Sequence, residues 1–142
     1  MHAVVWTSEG TLFSWGDGES GELGHGSNEC SDLPRQVQAL EAVPIASAAA
    51  GQYATIAHDR NGNLWSWGKG SALGHGGDFG SQQLLPKVIE GLPQGATIRR
   101  IATYDKVVCE YDDSGIWNWG ANLGSMFQGS STPSETWAAP QA

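Results

Sequence analysis

Residues 62–68 read Gly-Asn-Leu-Trp-Ser-Trp-Gly, and related stretches lie on either side of them. Residues 10–16 read Gly-Thr-Leu-Phe-Ser-Trp-Gly, and residues 115–120 read Gly-Ile-Trp-Asn-Trp-Gly. The Trp-Gly pairs in these stretches recur every 52 residues. A fixed period of this length is typical of repeat architectures, in which each unit needs neighbours to cover its apolar faces.

Each repeat begins with a predicted β-hairpin. In the second repeat, the strand at residues 53–58 leads into the turn Arg60-Asn61-Gly62, and residues 63–67 form the returning strand. Asn-Gly between two such runs is a strong hairpin signal. Equivalent hairpins are predicted over residues 2–15 and 107–119. The chain therefore belongs to the all-β class.

Glycine-rich loops follow the returning strands, with five glycines in residues 16–26 and a shorter copy at residues 68–76. Such density indicates tight backbone conformations. Short outer strands are predicted at residues 33–37 and 86–88, because proline at the start of a strand suits a sheet edge.

An alanine-rich stretch at residues 45–51 is predicted to be a strand of small residues. The flanking Pro44 and Gly51 leave under two turns for a helix, and residues 98–103 take the same place in the third repeat. That repeat is degraded, and its last strand is expected near Pro133 and Trp137.

The net charge of −8 comes from 7 basic and 15 acidic residues. This charge argues against nucleic acid and against anionic membranes as partners, since both attract cationic proteins. No apolar run is long enough to cross a membrane, and the N-terminus does not have the pattern of a signal peptide. Cys30 and Cys109 are expected to be free thiols rather than a disulfide, which favours an intracellular location, cytoplasmic or nuclear.

Residue patterns typical of catalysis, metals or cofactors are not found. His25 and His75 sit at equivalent places in the glycine loops, where a structural role is favoured over a metal pair. Asp17, Glu19 and Glu22 do not have the spacing of a calcium loop. Residues 68–71 do not have the spacing of a phosphate-binding loop. Asp112 and Asp113 are expected at a solvated turn. The protein is predicted to be non-catalytic, with no cofactor or metal.

The combined pattern of Gly-x-Leu-x-Ser-Trp-Gly, Gly-x-Leu-Gly-His-Gly and Pro-x-x-Val resembles the repeat of the regulator of chromosome condensation family, known as RCC1 repeats. Residues 10–51 and 62–103 carry the resemblance best. The motif positions, to which we assign structural roles, are Gly10, Trp15, Gly16, Leu23, Gly24, His25, Gly26, Gly62, Trp67, Gly68, Leu73, Gly74, His75, Gly76, Trp119 and Gly120.

The resemblance implies a seven-bladed β-propeller with four-stranded antiparallel blades. The chain divides into units of about residues 1–42, 43–95 and 96–142, which make about three blades of an incomplete propeller. The first unit has no copy of the strand at residues 45–51 before it. We therefore expect open blade edges, which favour contact with other chains.

Two functions follow from the resemblance. The first is a protein-interaction module that binds a protein partner, or associates with itself, through its open edges. The alternative is guanine-nucleotide exchange on a small GTPase, as in the founding members, although no segment matches the wedge that they use. Chromatin association through basic loops is disfavoured by the charge. Light sensing, as in plant ultraviolet photoreceptors with this repeat, is disfavoured because their Gly-Trp-Arg-His-Thr signature is absent.

Overall fold

The computed structural model describes residues 1–70, 73–75, 81–92, 97–103, 106–112, 115–120 and 127–128. These residues form β-strands and one short 3-10 helix, Gln38–Leu40. The strands make three antiparallel sheets, which confirms the all-β prediction. In the part of the chain that the structure describes, no helix is long and apolar enough to span a membrane.

The three sheets follow one another along the chain. Sheet 1 has the order β1-β2-β3, with strands His2–Trp6, Leu12–Gly16 and Ser31–Gln36. Sheet 2 has the order β4-β5-β6-β7, with strands Ile45–Ala50, Ala54–Asp59, Leu64–Lys69 and Gln82–Val88. Sheet 3 has the order β11-β10-β9-β8, with β8 Ile98–Thr103, β9 Lys106–Tyr111, β10 Ile116–Gly120 and β11 Phe127–Gln128.

The hairpins of sheets 1 and 2 share one register. Trp15 lies opposite Ala3 between β1 and β2, and Trp67 lies opposite Thr55 between β5 and β6. The remaining pairs of these two ladders are also related by the 52-residue shift. Because side chains alternate between the faces of a strand, equivalent residues occupy the same face of each sheet.

The alanine-rich stretch is the strand β4, as predicted. It pairs with β5, and it lies between the neighbouring sheets. Ala48 packs against the core between sheets 1 and 2, whereas Ala49 packs against the core between sheets 2 and 3. Small side chains suit β4 because it packs against a core on each face.

Two apolar cores hold the sheets together face to face. The first consists of Leu12, Val37, Leu40, Ile45, Ala57 and Trp67. The second consists of Ile56, Leu64, Ile89, Leu92, Ile98, Val107, Cys109 and Tyr111. Since the members of each core come from neighbouring sheets, the sheets stack side by side as the blades of a propeller do.

Sheet 1 has three strands where sheet 2 has four. In sheet 2, β4 pairs with the edge of the hairpin strand β5 that does not pair with β6. Among the described residues, no strand pairs with the equivalent edge of β1. The strand expected near Pro133 and Trp137 falls outside the described residues.

Candidate interaction face

The contact between Trp67 and Gly24 explains why two distant motifs recur together. Trp67 is fully buried at 0% exposure, and its indole packs on the backbone of Gly24 in the loop of sheet 1. A Cβ atom added at Gly24 would lie 2.7 Å from Nε1 of Trp67, and the φ of Gly24 is +77°. The Leu-Gly-His-Gly loop of sheet 1 thus covers the Trp-Gly pair of sheet 2.

The same loop also contacts the outer strand of sheet 2. The amide N–H of Gly26 donates a hydrogen bond to the carbonyl oxygen of Leu84 at 3.1 Å. The amide group of Asn28 donates to the side-chain oxygen of Gln82 at 3.2 Å. A Cβ atom at Gly26 would lie 3.3 Å from the side chain of Leu85. The loop of sheet 1 therefore covers sheet 2 from Trp67 to the outer strand β7.

Each loop is held by a serine-histidine pair. The Ser66 hydroxyl donates to the carbonyl oxygen of Leu73, so it accepts from Nε2–H of His75 at 2.8 Å. In sheet 1, Ser14 and His25 make the same arrangement at 3.1 Å. Burial lowers the pKa of both histidines, which keeps them neutral. The described residues contain no group of three or more His, Cys, Asp or Glu that could hold a metal ion.

Sheet 1 presents to solvent the face that sheet 2 buries. We define the open face as Ala3, Val5, Phe13 and Trp15, the repeat equivalents of Thr55, Ala57, Trp65 and Trp67. To these we add Leu33, because its equivalent Leu85 is the residue that Gly26 of the sheet 1 loop approaches. Val4 and Leu12, which alternate with these residues, point into the core with sheet 2. Val5 is 44% exposed whereas its equivalent Ala57 is buried, and Leu33 is 74% exposed against 47% for Leu85. Trp15 is half-buried, in contrast to Trp67.

A buried polar contact joins sheets 1 and 2. The hydroxyl of Thr55 donates to the carbonyl oxygen of Glu22 at 2.7 Å, so it accepts from Nε2–H of His2, also at 2.7 Å. Burial, and then the positive N-terminal amine, lower the pKa of His2 to about 4. His2 therefore acts as a neutral donor across the interface between the sheets.

Asp59 organises the turn of the second hairpin, a role that the sequence analysis missed. Its carboxylate accepts from the backbone N–H groups of Asn61 and Asn63 at 2.9 and 3.0 Å. It also accepts from the amide group of Asn63 at 3.1 Å and from Nε1–H of Trp65 at 3.0 Å. Asp at the first position of a turn, here two residues before Asn61-Gly62, is a recognised signal that could have identified it. Sheet 3 has Tyr111 at this position, and Nε1 of Trp117 has no hydrogen-bond partner among the described residues.

The remaining predicted residues lie at strand ends and in loops. Gly10, Gly16, Gly62, Gly68 and Gly74 all have positive φ, and Leu23 and Leu73 are buried. Trp119 and Gly120 are in β10, and Gly76 falls outside the described residues. Both cysteines are free, Cys30 exposed and Cys109 buried. Asp112 is exposed and forms an ion pair with Arg99 at 3.4 Å, and Asp113 falls outside the described residues.

Side-by-side sheets with these loop contacts define the blades of a β-propeller of the RCC1 type. The family model for the regulator of chromosome condensation (RCC1) repeat matches residues 9–58. The chain belongs to the RCC1-repeat family.

Relatives support the same assignment. The chain is 35% identical over 136 residues to the E3 ubiquitin-protein ligase HERC2 of Homo sapiens, covering 92% of this chain and 3% of that protein. It is 35% identical over 125 residues to the ultraviolet-B receptor UVR8 of Arabidopsis thaliana, covering 85% of this chain and 28% of the receptor. The chain thus spans under a third of either relative.

Solved structures share the fold. The crystal structure of human WBSCR16 matches with a TM-score of 0.76 at 19% identity, over 89% of this chain and 35% of that chain. Yeast RCC1 (Prp20), in its complex with Kap60, matches with a TM-score of 0.69 at 25% identity, over 84% of this chain and 27% of that chain.

Proposed function

We propose that this chain is a non-catalytic protein-interaction module that binds another protein chain through the open face of sheet 1. One observation carries the proposal. In sheet 2, Thr55, Ala57 and Trp67 are buried, whereas their equivalents among the described residues of sheet 1, Ala3, Val5 and Trp15, are half-buried or exposed.

The open face combines the features of an interaction surface. Val5 and Leu33 expose apolar side chains next to the half-buried ring of Trp15. Burying a Val or Leu side chain contributes about 1.5–3 kcal/mol relative to leaving it in water. Aromatic residues are enriched where proteins bind one another. A partner that covered this face would therefore gain apolar burial from several adjacent residues.

Relatives of the same fold bind proteins. Yeast RCC1 (Prp20) is described in a complex with Kap60, and Prp20p of Saccharomyces cerevisiae is described with binding to Gsp1p and histones. These partners belong to those proteins. They support protein binding as the kind of function that this fold performs, since a fold alone does not specify which partner is bound.

The test compares two equivalent leucines in cells that express the chain. A photo-crosslinking amino acid replaces Leu33 in one variant and Leu85 in the other, because Leu85 is the matched position in sheet 2, where it is 47% exposed and Gly26 approaches it. We expect a discrete crosslinked protein from position 33 and little from position 85. Equal yields at both positions, or none at either, would contradict the proposal.

Two further measurements separate the alternatives. Light scattering on the purified chain distinguishes self-association, seen as a mass that rises with concentration, from binding to a different protein. Release of a labelled nucleotide from a small GTPase tests the exchange alternative. The non-catalytic assignment predicts no acceleration, and an accelerated release would overturn it.

A further inference from the structure

The pairing of β4 with β5 shows what covers the inner edge of a hairpin in this fold. Ala50, Ala49, Ala48 and Ser47 lie opposite consecutive residues of β5, from Thr55 to His58. The residues of β1 that precede those four residues of β5 by one repeat length of 52 are Ala3, Val4, Val5 and Trp6. The edge of β1 is thus a strand-pairing site with a known register.

We propose that an extended, positively charged segment of a partner protein adds to β1 as a fourth strand of sheet 1. This inference rests on the proposed function, because it specifies how a partner engages the open side of sheet 1. Addition of a strand to an exposed edge is a general mode of peptide recognition, in which main-chain hydrogen bonds supply affinity and side-chain positions supply specificity.

The two faces of the added strand meet different surroundings. Residues of the segment opposite Val4 and Trp6 take the places of Ala49 and Ser47, on the side that faces sheet 2. They must be small, because β4 lies there with its own alanines. Residues opposite Ala3 and Val5 lie on the open face, where no described residue limits their size. The segment should therefore alternate small residues with larger ones.

The negative charge of residues 1–42 indicates that the larger residues of the segment are positively charged. Residues 1–42 contain seven acidic residues and one basic residue, Arg35, whereas residues 43–95 contain three of each. The acidic residues are Glu9, Asp17, Glu19, Glu22, Glu29, Asp32 and Glu41. All are exposed except Glu22. The long-range field of this unit attracts a cationic segment and repels an anionic one.

Acidic residues lie at both ends of β1. Asp17 contacts the N-terminal amine of Met1, next to the start of β1, and it stands where sheet 2 has Lys69. Glu9 lies in the turn between β1 and β2, where sheet 2 has Asn61. These differences also disfavour a second copy of sheet 1 as the occupant, because it would bring the same negative charge.

The test uses a fluorescent peptide of the sequence Lys-Ala-Lys-Ala-Lys-Ala and the intact chain. Two control peptides carry Glu in place of every Lys, or Pro in place of two alanines at unchanged charge, since Pro removes ladder donors. We expect binding of the Lys-Ala peptide alone, weaker at high salt, with slower hydrogen exchange at amides of β1. The double variant E9Q/D17N should weaken binding about fivefold, and the control E90Q/D112N, which removes two exposed charges outside residues 1–42, should leave it unchanged.

Each outcome has one meaning. Equal binding of the Lys-Ala and Pro-containing peptides, or binding without protection of β1, would overturn strand addition and leave only charge attraction. Absence of binding by the Lys-Ala peptide would overturn the inference outright. Crosslinking at position 33 but not at position 85 would still stand in either case, so failure of this inference is distinguishable from failure of the proposed function.

Discussion

The indole of Trp67 packs directly on the Cα of Gly24, so a Cβ atom at residue 24 would lie 2.7 Å from Nε1 and 3.0 Å from Cδ1 of that ring. The two residues are 43 positions apart in the sequence and belong to neighbouring sheets. This contact joins the two halves of the repeat motif into one interface.

Gly24→Ala should therefore destabilise the protein by roughly 3 kcal/mol, since it adds a clash with a buried ring to the strain of a positive φ. Gly70→Ala is the matched control, because Gly70 also has a positive φ (+114°) but an added Cβ would meet nothing within 4 Å. The control should cost about 1–2 kcal/mol. Urea unfolding of both variants measures the difference, and equal losses would mean that the contact with Trp67 contributes nothing.

The two equivalent tryptophans should differ in their contribution to stability. Trp67→Ala should lower the free energy of unfolding by about 3–5 kcal/mol, because it leaves a cavity in the core between sheets 1 and 2. Trp15→Ala should cost only roughly 1–2 kcal/mol in the isolated chain, since Trp15 is half-buried. Thermal and urea unfolding of each variant test the order. A larger loss for Trp15 would mean that the open face is already covered.

Asp59→Ala should cost about 2–3 kcal/mol, because four donors around the second turn, including the indole of Trp65, lose their acceptor. Asp112→Ala is the control, since its exposed ion pair with Arg99 is worth under about 1 kcal/mol. Both are measured by urea unfolding. Similar losses in the two variants would show that the turn does not depend on its carboxylate.

Acidification should weaken the contact between sheets 1 and 2 through His2. Its folded-state pKa of about 4 lies below the usual 6.5, so the unfolded chain binds the proton more readily. Stability is therefore complete above pH 6.5 and falls as the pH drops from 6.5 towards 4. Other histidines titrate in the same direction, so the comparison is with His2→Asn, whose urea midpoint should fall less over this range. Parallel curves for the two proteins would contradict the assignment.

The sequence predicted the sheets well because glycine and tryptophan recur at fixed positions. The hairpin turn at Gly62, the small-residue strand β4 and the loop motif all depend on local residue types, which the repeat displays several times. Residues 45–51 do not form a helix, because the flanking Pro44 and Gly51 leave too few residues for one. The structure also shows that β4 lies between two apolar cores.

The contacts between sheets were beyond prediction. That Gly24 meets Trp67, or that His2 meets Thr55, depends on how neighbouring sheets stack, and no local pattern encodes it. The Asp59 turn was missed for another reason. Sheets 1 and 3 have Thr7 and Tyr111 at that position. Because the repeats do not share an aspartate there, comparing them does not point to Asp59.

The most direct measurement of the central claim is the reactivity of a thiol on the open face. Leu33→Cys in a Cys30→Ser background places one accessible thiol there, because Cys109 is buried and burial raises its pKa to about 12. We expect rapid labelling in the purified chain and much slower labelling in cells that express it, where a partner covers the face. Labelling at the same rate in both settings would contradict the claim that this face binds another chain.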